Sequence, residues 1–383
     1  MVESFLEFYG KHEISPVRQD LSDYKKHTER RRELYRHLGL LPTSFKDKKI
    51  LEVGPGGGYN SLVIADWEPS LYVLIEANKT GINDIKRNFA GHPILEKKGL
   101  QLIEKRLEET SLDEKFDIVL CEQTIPHNKN QKDLLNKLDE FTKEGGIMVL
   151  TCIDEISSYF EIMKRYFGFQ LVKGKEDFRE KVNILVDALG PHKRTLSGSS
   201  RFEEDWVIDN FLNEAVHNSL FSMGDCINFF REKYQIYNTS PKIFTDYRWF
   251  KKIPEEDGKH NEVCLEQFNC LMHNFFYTEK IFDKRKSSQN LELLDLCKEA
   301  RKWAYLNEFE NKEIKKEMGR NIGKIIENAG YLDKDILNSL KDIYRLNKKE
   351  KLTIEDLGKN CKHFMKAFGK CSQYISLTKN NSI

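Results

Sequence analysis

The stretch Lys49-Ile50-Leu51-Glu52-Val53-Gly54-Pro55-Gly56-Gly57-Gly58-Tyr59-Asn60, followed by Ser61-Leu62-Val63-Ile64-Ala65, decides how the chain is read. Ile50, Leu51 and Val53 spell a short buried strand, the glycines a tight turn, and the apolar run after Asn60 a helix. Glycine lets another molecule lie against the backbone, and the start of a helix offers unpaired N–H groups. Strand, glycine turn and helix in this order therefore suggest a bound ligand at the turn.

A second apolar run, Leu71 to Ile75, ends in Glu76. An acid at the tip of the second strand of such a unit is placed to accept hydrogen bonds from two ribose hydroxyls, which implies a nucleoside-bearing cofactor. The dinucleotide fingerprint G-x-G-x-x-G requires a glycine at position 59, where this chain has Tyr59. The turn instead reads Glu52-x-Gly54-x-Gly56-x-Gly58. That pattern resembles the first motif of class I S-adenosylmethionine-dependent methyltransferases. The resemblance implies that Gly54, Gly56 and Gly58 line the methionine and ribose part of S-adenosylmethionine, that Glu52 helps hold its amino group, and that Glu76 takes the ribose hydroxyls. Asn60 and Arg18 are assigned to the same cofactor site. The alternative is a cofactor-free doubly wound domain with a chance glycine turn.

Working outward, 383 residues supply material for two or three compact units. With 62 basic and 61 acidic residues the formal charge is +1, so no global field exists to hold a polynucleotide, which argues against a nucleic-acid partner. No apolar run approaches the roughly 20 residues of a membrane span. Glu3 and Glu7 stand where a signal peptide carries positive charge, so a cytoplasmic location is expected. The eight cysteines form no C-x-x-C pair and have no histidines at zinc-ligand spacing, so neither disulfides nor a metal site is expected.

Residues 1–45 read as an N-terminal cap. Ser15-Pro16-Val17-Arg18-Gln19-Asp20 is a proline-marked turn, and Asp20 or Ser22 caps a helix running to about Leu38. His27 and Arg31, at i and i+4, share one helical face. The likeness to class I methyltransferases implies that such a segment closes over the cofactor and completes the substrate pocket, so Arg18 is assigned to the cofactor and His27 to the substrate. Most of the other basic residues of this helix read as a solvated face.

From 46 to 152 strand and helix alternate, which favours a parallel sheet covered on both faces. Strands are expected at 49–53, 71–75, 100–104, 116–121 and 146–152, and helices at about 59–67, 79–89 and 130–142. After the fourth strand comes Glu122-Gln123-Thr124-Ile125-Pro126-His127. Ligands sit beyond the carboxyl ends of strands in such sheets, so this segment should border the transferred methyl group. The [NDS]-P-P-[YF] tetrapeptide of related enzymes acting on amide and exocyclic amine nitrogens is missing. Methyl transfer to a hydroxyl needs a base, so the catalytic candidates are His127 as that base and Glu122 to orient the cofactor or substrate, with a loop histidine capping the next helix as the bland alternative for His127.

Helical text at 153–233 is expected to be an insertion forming a lid. Its loop at 189–201, followed by Trp206, gathers His192, Arg194 and Arg201 as a substrate-binding grip for a phosphate or carboxylate, with Trp206 stacking on a sugar or ring. The final two strands are placed at 234–237 and 244–250, inside a returning segment 234–253, the last one antiparallel. Beyond a polar linker at 254–259, residues 260–371 read as a C-terminal helical domain open to homo-oligomerisation, and 372–383 as a flexible tail.

The expected fold is therefore α/β, a doubly wound Rossmann-like methyltransferase sheet with a helical insertion and a C-terminal helical bundle. The expected function is S-adenosylmethionine-dependent methylation of a polar small molecule, a sugar or a sugar-phosphate or nucleotide-linked glycan precursor. The N-terminal turn and basic helix, the loop at 189–201 and the stretch Tyr247-Arg248-Trp249 together resemble bacterial methyltransferases that modify sugars in surface-glycan pathways, which implies a sugar acceptor. Methylation of another metabolite or a protein side chain, and a non-catalytic S-adenosylmethionine-binding scaffold, are the alternatives.

Overall fold

The computed structural model describes residues 4–12, 18–245, 249, 251, 259–307 and 312–381. The chain divides into two compact units, Met1–Ile153 with Glu214–Phe268 and Ser372–Ile383, and Asp154–Asn213 with Asn269–Cys371. No helix among the described residues is long and apolar enough to cross a membrane.

The first unit is built on a seven-stranded sheet in the order β3-β2-β1-β4-β5-β7-β6. Its strands are β1 Lys49–Val53, β2 Leu71–Ile75, β3 Leu100–Ile103, β4 Phe116–Cys121, β5 Thr142–Cys152, β6 Tyr234–Ser240 and β7 Gln373–Lys379. β1 to β5 pair in parallel, with Ile50 between Tyr72 and Ile118, and β7 runs antiparallel to both β5 and β6. Leu51, Val73 and Val119 are buried in mid-strand, as near-continuous apolar strands require when helices cover both faces. Around the sheet run α1 Phe5–His12, α2 Tyr24–His37, α3 Ser61–Ala65, α4 Lys79–Asn88, α5 Pro93–Glu96 and α6 Gln131–Phe141.

Helix α2 is part of this core. Tyr35 is fully buried, edge-on to Phe45 at 5.1 Å and to Trp67 at 5.4 Å between ring centroids. Asp23 caps the helix by accepting from the Lys26 N–H, while Asp20 accepts from the Ser22 N–H one turn earlier. The cap expected at Asp20 or Ser22 is thus displaced to the next acid.

Two expectations are corrected here. The antiparallel strand of the sheet is β7, residues 373–379, and not 244–250. Of that segment the structure describes 244, 245 and 249, none of them in a strand, and Tyr247-Arg248 and most of the linker at 254–259 lie outside the described residues. The stretch at 372–383 accordingly contains a core strand with Ile375 and Leu377 buried, and is no flexible tail through residue 379. Its polar composition hid this, since Ser376 enters the sheet with its hydroxyl donating to the Leu38 carbonyl at 2.8 Å.

The second unit joins what the sequence separated. Helices α7 Tyr159–Val172, α8 Phe178–Arg194 and α9 Glu203–Val207 belong to it, as do α12 Ser287–Asn307, α13 Lys312–Ala329, α14 Lys334–Lys348, α15 Ile354–Gly358 and α16 Lys362–Lys366. The short helix α10 Met223–Phe230 falls in the first unit, and α11 His260–Leu271 begins there. Insertion and C-terminal helices share one aromatic core, with Tyr159 stacked on Phe276 at 5.3 Å and Phe167 edge-on to Phe364 at 6.0 Å. The expected loop at 189–201 is helical through Arg194 despite Pro191. Gly358 has no Cβ to press on the Ala188 carbonyl, 3.1 Å from where one would sit, so α15 lies directly against α8.

Candidate active site

At the carboxyl end of β1 the chain turns through Gly54, Gly56 and Gly58, all with φ between 58° and 73°. Only glycine adopts this left-handed region freely. At Gly54 a Cβ would also lie 2.2 Å from the Thr124 hydroxyl oxygen, so the tip of the β4 segment closes directly over the turn. On the other side Gly81, in the first turn of α4, would place a Cβ 2.9 Å from the Gly56 carbonyl. The turn is clamped between α4 and the segment after β4.

Glu76 organises it. One carboxylate oxygen accepts from the Gly56 N–H at 2.8 Å, and the other accepts from the N–H groups of Ala77 and Asn78 at 2.9 and 2.8 Å. Burial still pushes its proton affinity above the usual carboxylate range, against the pull of these three donors. The Asn88 side chain donates to the Gly57 carbonyl at 2.8 Å.

Helix α2 closes the opposite side. The His27 Nε2–H donates to the Tyr59 carbonyl at 3.2 Å, and burial lowers the imidazole's proton affinity, which suits a neutral ring. The Gln19 amide donates to the Asn60 side-chain oxygen at 3.2 Å, tying the preceding segment to the start of α3. Arg18, one residue earlier, is exposed. His27, expected to bind substrate, is buried and braces the cofactor turn.

Beneath the turn lies a buried polar cluster that crosses four elements. Arg31 forks onto Glu122, with Nη1 to Oε2 at 2.9 Å and Nη2 to Oε1 at 2.6 Å, and the Tyr35 hydroxyl donates to the same Oε1 at 2.7 Å. Tyr72 donates its hydroxyl to Glu52. Burial and the nearby Glu122 charge push the Glu52 carboxyl up to about 7. Glu122 is thus held by Arg31 and Tyr35.

His127 fares differently. It sits half-buried at φ 66°, a strained conformation that histidine tolerates better than most residues, with Gln123 at φ 64° in the same segment. Its backbone N–H donates to the Ser219 carbonyl at 2.9 Å, which also accepts from the Gln131 amide at 2.8 Å. The Phe5 ring lies 5.8 Å from the imidazole. The segment beyond β4 therefore presents one imidazole against an aromatic helix, α1.

This arrangement fits an adenosyl amino acid. A glycine turn without side chains, an acid fixed at the tip of β2 and a second buried acid under the turn match the ribose and amino groups of such a molecule. Residues 25–182 match a family described as "Methyltransferase domain". Residues 25–182 thus carry a methyltransferase domain.

Two curated relatives match parts of this chain. The mitochondrial ubiquinone biosynthesis O-methyltransferase of Schizosaccharomyces pombe is 32% identical over 28% of this chain and 39% of its own length. The malonyl-[acyl-carrier protein] O-methyltransferase of Calditerrivibrio nitroreducens is 24% identical over 67% of this chain and 97% of its own. The chain thus spans about two fifths of the first of these relatives. Among solved structures, PKMT2 of Rickettsia typhi in complex with AdoHcy is 16% identical and covers 62% of this chain and 48% of its own, with a TM-score of 0.43.

The expected acceptor grip is taken apart within the second unit. His192 is fully buried inside α8, its Nε2–H donating to the Leu357 carbonyl at 2.7 Å, and burial drives its proton affinity down to about 3. Arg194 pairs with both oxygens of Glu203 at 2.8 Å, and Arg201 pairs with Asp209. Trp206 is buried edge-on to Phe211 at 4.8 Å. Tyr35, Tyr72, Gly81 and Thr124 were missed by sequence reasoning, which placed Arg31 on one helical face with His27 but gave it no role of its own. The one signal available was the His27, Arg31, Tyr35 stripe at i, i+4 and i+8, a polar line on a helix that turns out to be its buried face.

Proposed function

We propose that this chain transfers a methyl group from S-adenosylmethionine to an oxygen of a polar small molecule. The observation that carries the reading is the glycine turn anchored on Glu76 and braced by His27. When bound there, the cofactor supplies a methyl group on a sulfonium. Glu76 receives the ribose hydroxyls, Gly54, Gly56 and Gly58 admit the cofactor against the backbone, Asn60 and Arg18 flank it, and Glu52 faces its ammonium.

His127 takes the proton of the acceptor hydroxyl, a role suited to imidazole near neutral pH. The oxygen acceptor is supported by the names of the two curated relatives, both O-methyltransferases. A sugar or sugar phosphate stays among the acceptors to test, although its main support, the cations at 192–201, is engaged within its own unit. We place the chain in the cytoplasm, and self-association, if it occurs, at the helices from 260 to 371.

Calorimetry with S-adenosylmethionine and S-adenosylhomocysteine, followed by tritiated-methyl transfer to phenols, acyl thioesters with a free carboxylate, sugar nucleotides, phospho-sugars and peptides, tests the reading. Saturable binding and transfer to one hydroxyl or carboxylate class are expected. Binding without transfer to any class supports a scaffold instead, and no binding overturns the reading. His127→Ala should lower kcat on a hydroxyl acceptor by about 100-fold or more while S-adenosylhomocysteine affinity holds.

A further inference from the structure

We propose that Arg31 is a positioning residue for cofactor binding. Through its fork onto Glu122 it fixes the tip of β4 beside the glycine turn and offsets the negative charge that faces Glu52, where the cofactor's ammonium is received. This rests on the methyltransferase reading above.

The geometry is specific. Both terminal nitrogens of Arg31 reach both oxygens of Glu122, and the guanidinium carbon stands 5.1 Å from the centre of the Tyr35 ring. A bidentate pair of this kind fixes direction as well as distance, which a lysine cannot reproduce. Arg31 and Glu122 are both more than nine-tenths buried, so their attraction is little screened by solvent. Removing one partner from such a pair leaves the other charge buried and uncompensated.

Glu52 feels that charge. Facing it are the Tyr72 hydroxyl from β2, Ser61 from α3, Cys121 and Glu122 from β4 and its extension, and Arg31 and Tyr35 from α2. Glu122 makes Glu52 harder to ionise and Arg31 makes it easier. Since an ammonium is received best by an ionised Glu52, the guanidinium sets how readily the turn accepts the cofactor at a given pH.

The test is calorimetry of S-adenosylhomocysteine with the full chain from pH 5.5 to 8.5, in wild type, Arg31→Met, Arg31→Lys, Glu122→Gln and the Arg31→Met/Glu122→Gln pair. Wild-type affinity should rise with pH around neutrality. Arg31→Met should bind about tenfold more weakly at pH 7 and move the midpoint upward by roughly half a pH unit or more, with only partial recovery in Arg31→Lys. Glu122→Gln should move the midpoint downward, and the double variant should return it toward wild type.

A midpoint shared by all five proteins, with only their melting temperatures differing, overturns the proposal and leaves the methyltransferase reading intact. Should Arg31→Met not fold, Glu122→Gln and the double variant decide by the same shifts. Wild-type protein that binds no S-adenosylhomocysteine at any pH overturns both.

Discussion

Gly54 shows how much of the site is decided at single residues. It has φ 69°, and a Cβ there would meet the Thr124 hydroxyl at 2.2 Å. Gly54→Ala should therefore destabilise the first unit by about 2–4 kcal/mol, part from the left-handed backbone and part from the contact. In a Thr124→Ala background the loss should shrink to about 1–2 kcal/mol, the backbone share alone, measured by denaturant midpoints. Equal losses in both backgrounds would refute the contact. The positions that could be read from sequence are of this kind. Glu52, Gly54 and Glu76 follow from a pattern within one strand, turn and strand. The Arg31–Glu122 pair could not be read so, because its partners come from α2 and the end of β4 and are brought together only by folding.

At the scale of elements, β7 is the decisive piece. It supplies the pairing edge for β5 on one side and for β6 on the other, so without it two strands lose their only shared neighbour. Truncation after residue 371 should leave the first unit unable to complete its sheet, with loss of cooperative melting and of S-adenosylhomocysteine binding. A truncated chain that melts cooperatively would contradict this. The first five strands were legible because apolar runs alternated with amphipathic helices. β7 was not, since Gln373-Tyr374-Ile375-Ser376-Leu377-Thr378-Lys379 carries polar residues whose partners, such as the Leu38 carbonyl for Ser376, lie far away in sequence. The aromatic run at 244–250 carried the stronger strand propensity and drew the assignment instead. Likewise Gly190-Pro191 reads as a helix breaker, yet the packing of α15 on α8 overrides that local preference.

For the whole molecule, the balanced charge hides buried acids that work against stability near neutral pH, Glu52 and Asp154 among them. Burial raises Glu52 in the first unit and Asp154 in the second to about 7, from ordinary values near 4. Each folded group holds its proton where the unfolded chain has released it. The stability it contributes is thus complete below about pH 4 and lost as pH rises to about 7. Glu52→Gln and Asp154→Asn should each gain stability relative to wild type on going from pH 5 to 8, on the order of 2–4 kcal/mol, as read by chemical denaturation. For Glu52→Gln that gain should accompany weaker S-adenosylhomocysteine binding, because the amide no longer meets an ammonium with a charge. A parallel pH dependence in variant and wild type would refute the assignment.

The place of residues 373–379 in the sheet also has a consequence for biosynthesis. Ribosomes add roughly 5–20 residues each second, so the interval between emergence of β5 and emergence of its neighbour is on the order of ten to forty seconds. Throughout it, the nascent polypeptide displays an apolar strand with one side unsatisfied, a template for aberrant association between neighbouring chains. This protein should accordingly depend on chaperones during translation, and slowing elongation downstream of residue 152 should lower the yield of native molecules.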